Sequence, residues 1–189
     1  MKPGFSDPVF GAQSGFAALM NAMARPGRIQ DCNALHEPPP GLDPAAAAAL
    51  LTLADAETPL WTDAEGEARD WIAFHTGAPL VEDVARAQFL LATRAMPALA
   101  SVDLGTDETP QDSATLIVQV ATLDDASGWR LTGPGIQHEH RLTVTGLPAD
   151  FAVQWARNRT HFPRGVDVVL CAGTRLAGLP RTTRITEDR

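Results

Sequence analysis

Three short apolar runs, separated by segments with the spacing of helices, are the feature that most constrains the fold of this chain. The runs cover residues 87–92, 114–120 and 166–171, and each has the length and composition of a buried strand. Helices interspersed with such strands predict an α/β fold, a layered αβα sandwich around a mixed β-sheet, with 166–171 lying centrally. The length suits a single domain that spans residues 1–189.

The first helix is predicted to begin at Asp7-Pro8, because aspartate can cap free amide groups and proline suits the first turn. Arg25-Pro26-Gly27 is expected to end it, since proline lacks an amide hydrogen and glycine tolerates a positive φ. Apolar residues at helical spacing predict one buried stripe on this helix. The stripe consists of Phe16, Leu19, Met20 and Met23.

The same patterns predict further helices and strands along the chain. The third helix is expected to turn Trp71 and Phe74 inward. The second, third and fourth helices are expected over 43–53, 65–75 and 149–159. Further short strands are expected over 58–62 and 141–145, and 181–185 alternates as the edge strand of a sheet does.

Charge and composition exclude several classes of partner. A net charge of −8 argues against nucleic acid and against a polybasic membrane surface, because both require clustered positive charge. No apolar run approaches the roughly 20 residues that span a bilayer, and the N-terminus lacks the apolar core of an export signal. Two cysteines, Cys32 and Cys171, are too few for a disulfide framework or a zinc site. We therefore expect a cytoplasmic protein with reduced thiols and no metal.

The basic residues are almost all arginines, since Lys2 is the only lysine. A pyridoxal phosphate Schiff base requires a desolvated lysine, so this chemistry has no candidate residue and no cofactor is expected. Arginine is the better bidentate partner for a carboxylate or a phosphate.

A glycine–proline–glycine turn, Gly133-Pro134-Gly135, is the sharpest local motif. Flanking glycines permit backbone conformations that other residues avoid, and they allow another chain or a ligand to approach closely. Proline removes one amide donor, and no Gly-Lys-Ser/Thr follows, so a phosphate-binding loop is not indicated. The turn is interpreted as a tight structural turn or, alternatively, as a docking or ligand surface.

Two other polar segments are candidates for binding. The loop between the fourth helix and the central strand carries Asn158, Arg159, His161 and Arg164, and it is either a structural loop or a binding or interface loop. Arg181 and Arg184, beside Thr182 and Thr183, could grip a phosphate or form the solvated face of an edge strand. His138 and His140 would share one face of a strand, but a third metal ligand is not evident, so a polar strand edge is preferred.

A series of short motifs runs through the chain in order, and together they are similar to those of the PhnH family, the H subunit of the bacterial carbon–phosphorus lyase system. The resemblance extends from about Phe5 to Ile185. The motifs are Gln13-Ser14-Gly15-Phe16, Ala24-Arg25-Pro26-Gly27, Ser113-Ala114-Thr115, Leu131-Thr132-Gly133-Pro134-Gly135-Ile136, Phe162-Pro163-Arg164-Gly165-Val166-Asp167 and Leu179-Pro180-Arg181-Thr182-Thr183.

The resemblance implies a subunit of a core complex assembled with the G, I and J subunits, which acts on alkylphosphonates. With its partners it would take part in forming a ribose 1-phosphonate 5-triphosphate from ATP and the phosphonate. It further implies a fold like the large domain of pyridoxal-phosphate transferases, without the cofactor. No catalytic residue carries over from the family, so the chain is expected to be non-catalytic alone. A homodimer is also expected when the chain is isolated, because symmetric pairing is the commonest way to cover an exposed sheet edge or apolar patch.

Two other functions stay open on the sequence. One is a stand-alone enzyme that holds a phosphorylated ligand with its arginines. The other is a dimeric scaffold unrelated to phosphonates.

Overall fold

The computed structural model describes residues 1–187. A six-stranded mixed sheet separates two layers: three helices cover one face, and a fourth helix with a three-stranded antiparallel sheet covers the other. The predicted α/β class with a mixed sheet is therefore confirmed. The second layer is not purely helical as a simple αβα sandwich would require, because a long hairpin folds back over the central sheet there.

The four helices lie close to their predicted positions. The Asp7 carboxylate accepts hydrogen bonds from the amides of Val9 and Phe10, both at 3.0 Å, so the first helix has the cap that its sequence predicts. Gly77, in the left-handed conformation, ends the third helix. The bounds are α1 Pro8–Ala24, α2 Pro44–Leu53, α3 Gly66–Thr76 and α4 Phe151–Thr160.

Nine strands form the two sheets among the described residues. The central sheet contains β1 Gln30–Asp31, β2 Leu60–Thr62, β3 Phe89–Ala92, β4 Thr115–Gln119, β7 Asp167–Ala172 and β8 Arg175–Leu179. The smaller sheet contains β5 Thr122–Thr132, β6 His140–Thr145 and β9 Arg184–Thr186.

The central sheet has the order β1-β8-β7-β4-β3-β2. Strands β2, β3, β4 and β7 are parallel, while β8 and β1 add antiparallel neighbours at one side. The strand β7 has a neighbour on each side, and all of its residues after Asp167 are buried, so the prediction of a central strand at 166–171 is confirmed. None of the helices among residues 1–187 combines the length and hydropathy that a membrane crossing requires.

The helix α2 is buried on every side. Residues 45–50, five alanines and a leucine, have no exposed surface. Alanine is the best helix former and the smallest side chain that keeps that propensity, so α1, α3 and the sheet can all pack closely against this helix.

The buried face of α1 differs from the predicted stripe, and close packing is again the reason. Phe16 and Met20 are 52% and 53% exposed, so the prediction was wrong for these two residues, although Leu19 is buried. A Cβ on Gly15 would overlap the hydroxyl of Thr52 in α2. Because α1 lies so near its neighbours, its buried face consists mostly of small residues, and Phe16 and Met20 face solvent. The buried residues of α1 are Gly15, Ala18, Leu19 and Ala22.

Two further predictions need correction. Trp71 is fully buried, but Phe74 is 71% exposed, because the buried face of α3 passes through Ala68, Trp71 and Ile72 and leaves position 74 beside it. An edge strand is present only from Arg184 onward. Residues 181–183 instead form a turn in which the Thr183 amide donates to the Pro180 carbonyl at 2.8 Å.

Candidate functional site

The three motifs around Gly27, Gly133 and Thr182 meet at one corner of the molecule. Gly133 and Gly135 both have positive φ values, and a Cβ on Gly135 would overlap the carbonyl oxygen of Ala24 at the end of α1. A Cβ on Gly133 would lie 3.0 Å from the carbonyl oxygen of Thr182. The turn that includes exposed Pro134 therefore packs backbone against backbone, and both glycines are required there by space and by conformation.

Arg181 lies at the amino ends of β4 and β7, where it joins three segments that are distant in sequence. Its side chain is only 14% exposed, and Asp167, its ion-pair partner, is 21% exposed. All five N–H groups of the guanidinium donate within the protein. Nη2 donates to Asp167 Oδ2 and Ser113 Oγ, both at 2.6 Å, Nε donates to Asp167 Oδ1 at 3.2 Å, and Nη1 donates to the carbonyls of Pro110 at 2.7 Å and Pro163 at 3.4 Å. A phosphate would have to displace these acceptors.

Asn158 has an equally internal role. Its side-chain amide donates to the Val166 carbonyl at 3.0 Å and accepts from the Val166 amide at 2.9 Å, and the residue is buried. This pair of bonds fixes the loop that leads from α4 into β7. Arg164, in the same loop, forms an exposed ion pair with Asp107, with Nε and Oδ1 3.1 Å apart.

His161 ends α4 beside a small cavity of about 170 Å³. Most of the cavity wall is apolar and comes from residues 98–104, while Gln154, Arg157 and Asn158 border it from α4. The cavity has room for part of an apolar side chain, which its scarcity of polar groups favours.

Arg159 and Arg184 differ from the other predicted site residues, because no described carboxylate forms an ion pair with either. The Arg159 Nε is buried and has no acceptor among the described residues. Burial, and then the positive charge of Arg184, lower the pKa of the Arg159 guanidinium. The two arginines lie on elements that are in contact, since the indole N–H of Trp155 in α4 donates to the carbonyl of Thr183, the residue before Arg184.

The histidines of the His138-Glu139-His140 segment do not form a pair on one strand face. His138 is exposed and precedes β6, which begins at His140. The Nδ1 of His140 lies 2.6 Å from the Pro26 carbonyl oxygen, and its Nε2 accepts from Arg28 Nε at 3.3 Å, so both ring nitrogens are engaged. Within residues 1–187, no group of three or more histidine, cysteine or acidic side chains could hold a metal ion.

A polar cleft of about 470 Å³ lies at the carboxyl ends of β2, β3 and β4 and was missed by the sequence analysis. Open α/β sheets commonly bind ligands at this edge, so the residues after each predicted strand were the available signal. The polar side chains that line it are Asp43, Glu65, Thr93, Arg94 and Gln119.

Asp63 orders one wall of this cleft. Its carboxylate accepts from the amides of Thr93, Arg94 and Ala95 and from the Thr93 hydroxyl, at 2.6 to 3.0 Å. Burial acts to raise the pKa of Asp63, but these hydrogen bonds together lower it below its ordinary value. Arg94 Nη2 donates to the Asp63 carbonyl at 2.6 Å and to Glu65 at 2.8 Å, so the cleft carries both signs of charge and does not select one ligand charge.

Both cysteines are free and buried. Burial raises the pKa of the Cys32 thiol, and it raises that of Cys171 well above its ordinary value. Because the thiolate is the reactive form, these thiols are poor nucleophiles.

One helix face is exposed and apolar. Val9, Phe10, Phe16 and Met20 of α1 are each more than half exposed. The helix contains no charged residue between Pro8 and Ala24. Exposed apolar side chains grouped on one helix are typical of a contact with another protein, although the exposed polar residue Gln13 lies among them.

The comparisons with known proteins cover almost the whole chain. A family model described as bacterial phosphonate metabolism protein (PhnH) matches residues 3–186. The chain is 41% identical, over 97% of its length and 94% of the relative's, to the alpha-D-ribose 1-methylphosphonate 5-triphosphate synthase subunit PhnH of Rhizobium meliloti (strain 1021). It is 34% identical, over 92% of its length and 85% of the relative's, to the putative C-P lyase subunit protein HtxG of Stutzerimonas stutzeri. Both alignments are long enough to include the central sheet and most of the segments described above.

Proposed function

Because the chain belongs to the PhnH family of bacterial phosphonate metabolism proteins, we propose that it is a subunit of a ribose 1-methylphosphonate 5-triphosphate synthase of the carbon–phosphorus lyase type. The observation that carries this proposal is the 41% identity with a named subunit over nearly the full length of both chains. At this identity and coverage the two proteins share their fold.

We further propose that the chain is non-catalytic by itself and works through its surfaces. Support comes from the structural role that its distinctive motifs have within the chain. The glycine turn, Asn158 and Arg181 hold the chain's own segments together, and both thiols are buried. A catalytic group must be able to contact a substrate, whereas these groups are already engaged within the chain or buried.

The proposed partners are the G, I and J subunits of the core complex, in the cytoplasm. The test is co-expression of all four chains, with an affinity tag on this one, followed by purification and quantification of each subunit. We expect the G, I and J subunits to co-purify in fixed ratios. Recovery of this chain alone, from cells that assemble a complex of the other three, would contradict the proposal.

Activity of the isolated chain separates this function from that of a stand-alone enzyme. Purified protein is incubated with ATP and methylphosphonate, and release of adenine is followed by chromatography. We expect none above the background without protein, and release only when the partner subunits are added. Adenine release by the isolated chain, abolished by one substitution in the polar cleft, such as Arg94→Gln, would establish the stand-alone enzyme instead.

When isolated, the chain is proposed to form a homodimer through the exposed face of α1. Two copies with a net charge of −8 each repel, so self-association favours a surface without charge, and α1 has none. Sedimentation velocity over a range of concentrations tests this. Phe10→Ser should shift the protein toward monomer, whereas Phe74→Ser on α3, with the same 71% exposure, should not. A wild-type monomer at all concentrations would exclude the dimer.

The likeness of the fold to the large domain of pyridoxal-phosphate transferases remains a prediction.

A further inference from the structure

The predicted arginine candidates separate into two groups in the structure. Arg181 donates all five of its N–H groups within the protein, and Arg164 is paired with Asp107. Arg159 and Arg184 have no acidic partner among residues 1–187. In a protein with a net charge of −8, two arginines that no described carboxylate neutralises require an explanation.

The contact of α4 with β9 brings the two arginines together. The indole N–H of Trp155, in α4, donates to the Thr183 carbonyl at 2.9 Å, and Arg184 is the next residue in the chain. Arg159 follows Trp155 by four residues and so lies above it on the same face of the helix. The register of β9, in which Arg184 is opposite Thr132 of β5, fixes the second arginine.

The Arg159 guanidinium has a donor that the protein does not use. Its Nε is buried and forms no hydrogen bond with the described residues. The Nε of Arg164 is also buried without a hydrogen bond, but it lies 3.1 Å from the Asp107 carboxylate. A buried N–H without an acceptor costs free energy, and native structures usually resolve such a group with a water or an ion. The closeness of a second positive charge adds to that cost. A bound anion would offset the repulsion between the two cations, and it would satisfy Nε once a rotation of the Arg159 side chain makes that group accessible.

We propose that Arg159 and Arg184 form a binding site for a tetrahedral oxyanion, a phosphate or phosphonate group. Guanidinium groups bind such anions with two parallel hydrogen bonds each, and two guanidiniums can satisfy several oxygens of one tetrahedral group. Arg184 is exposed, so the site is open to solvent from the β9 side, while Arg159 provides the buried, less hydrated donor. The site is separate from the polar cleft at the opposite, carboxyl edge of the parallel strands.

The test uses the isolated chain, so its outcome does not depend on assembly with other subunits. Inorganic phosphate and methylphosphonate are titrated with protein at low ionic strength, and binding is followed by ³¹P line broadening. We expect saturable binding of both by the wild type. Arg159→Gln and Arg184→Gln should each raise the dissociation constant about tenfold, since each removes charge-assisted hydrogen bonds.

Arg157→Gln is the matched control, because Arg157 is an exposed arginine on the same helix, and its loss changes the net charge equally. We expect this variant to bind both anions within about twofold of the wild type, because it keeps both guanidinium groups of the proposed site. Arg159→Lys, which keeps the charge and loses the planar donor fork, should bind less tightly than the wild type but more tightly than Arg159→Gln. Circular dichroism and melting curves confirm that each variant is folded.

Three results would overturn the proposal. One is the absence of saturable binding to the folded wild-type protein. Another is an equal loss of affinity in the Arg157, Arg159 and Arg184 variants, which would indicate a general charge effect. The third is displacement of phosphate by acetate at equal concentration, which would indicate a site for a carboxylate, such as an acidic side chain of a partner protein.

Discussion

Replacement of Arg181 by alanine is the most informative test of how this corner of the molecule is held together. The substitution leaves the mostly buried Asp167 carboxylate without its counter-charge and leaves Ser113 Oγ and two carbonyl oxygens without a donor. Breaking a largely buried ion pair by removing one partner costs about 3 kcal/mol. The corresponding fall in melting temperature is roughly 6–12 °C for a chain of this size.

The assay is equilibrium unfolding in urea, followed by tryptophan fluorescence. Arg164→Ala is the control, because its ion pair with Asp107 is exposed and should contribute at most about 1 kcal/mol. In the double variant Arg181→Met/Asp167→Leu no buried charge is left alone. Its loss of unfolding free energy should therefore be smaller than the sum of the losses in the single variants Arg181→Met and Asp167→Leu. Equal losses for Arg181→Ala and Arg164→Ala, or strictly additive losses in the double variant, would refute the reasoning.

Three further predictions concern the turn, the thiols and the cleft. Gly135→Ala should destabilise the protein by at least about 1 kcal/mol more than Gly173→Ala, because both have positive φ but only position 135 lacks room for a Cβ; equal urea midpoints would contradict this. The folded protein keeps the Cys171 proton that the unfolded chain releases near pH 9.0, so above that pH stability should fall by up to about 1.4 kcal/mol per pH unit. Urea unfolding from pH 8 to 10.5 should show a weaker dependence in Cys171→Ala, and an unchanged slope would count against it. Asp63→Asn should cost about 2 kcal/mol and weaken the loss of stability in acid, because the native carboxylate is favoured by its hydrogen bonds; an unaltered acid unfolding curve would argue against this role.

Local signals in the sequence were sufficient for most elements. A capping aspartate and a proline located α1, and a proline located α2, where Asp43 forms no capping hydrogen bond with its side chain. Continuous apolar runs located β3, β4 and β7. These signals act within a few residues of the element that they specify, so they can be read without knowledge of the fold.

The misses have a common physical cause, which is dependence on contacts distant in sequence. The strand β5 is mostly exposed and rich in polar residues, so its pairing with β6 and β9 leaves little trace in hydrophobic pattern. The strand β8 contains Gly178, whose lack of a side chain admits the backbone of Ala22 in α1. Neither feature is visible from the residues of one strand alone.

The candidate site shows the same division. Sequence patterns selected Arg159, Arg181 and Arg184 as arginines in polar segments. They could not distinguish a guanidinium whose N–H groups all donate within the protein from one that has no acidic partner among the described residues. That distinction depends on Asp167 lying beside Arg181, and on α4 lying against β9.

The buried helix α2 sets a limit on how this protein can change. Each alanine from 45 to 49 already has the smallest side chain that favours a helix, and every one is enclosed. A larger residue would have to separate neighbouring layers, and glycine would weaken the helix by about 1 kcal/mol. Neither a larger nor a smaller residue is therefore tolerated without cost at five successive positions. The distance between the layers that pack against α2 is fixed by these alanines.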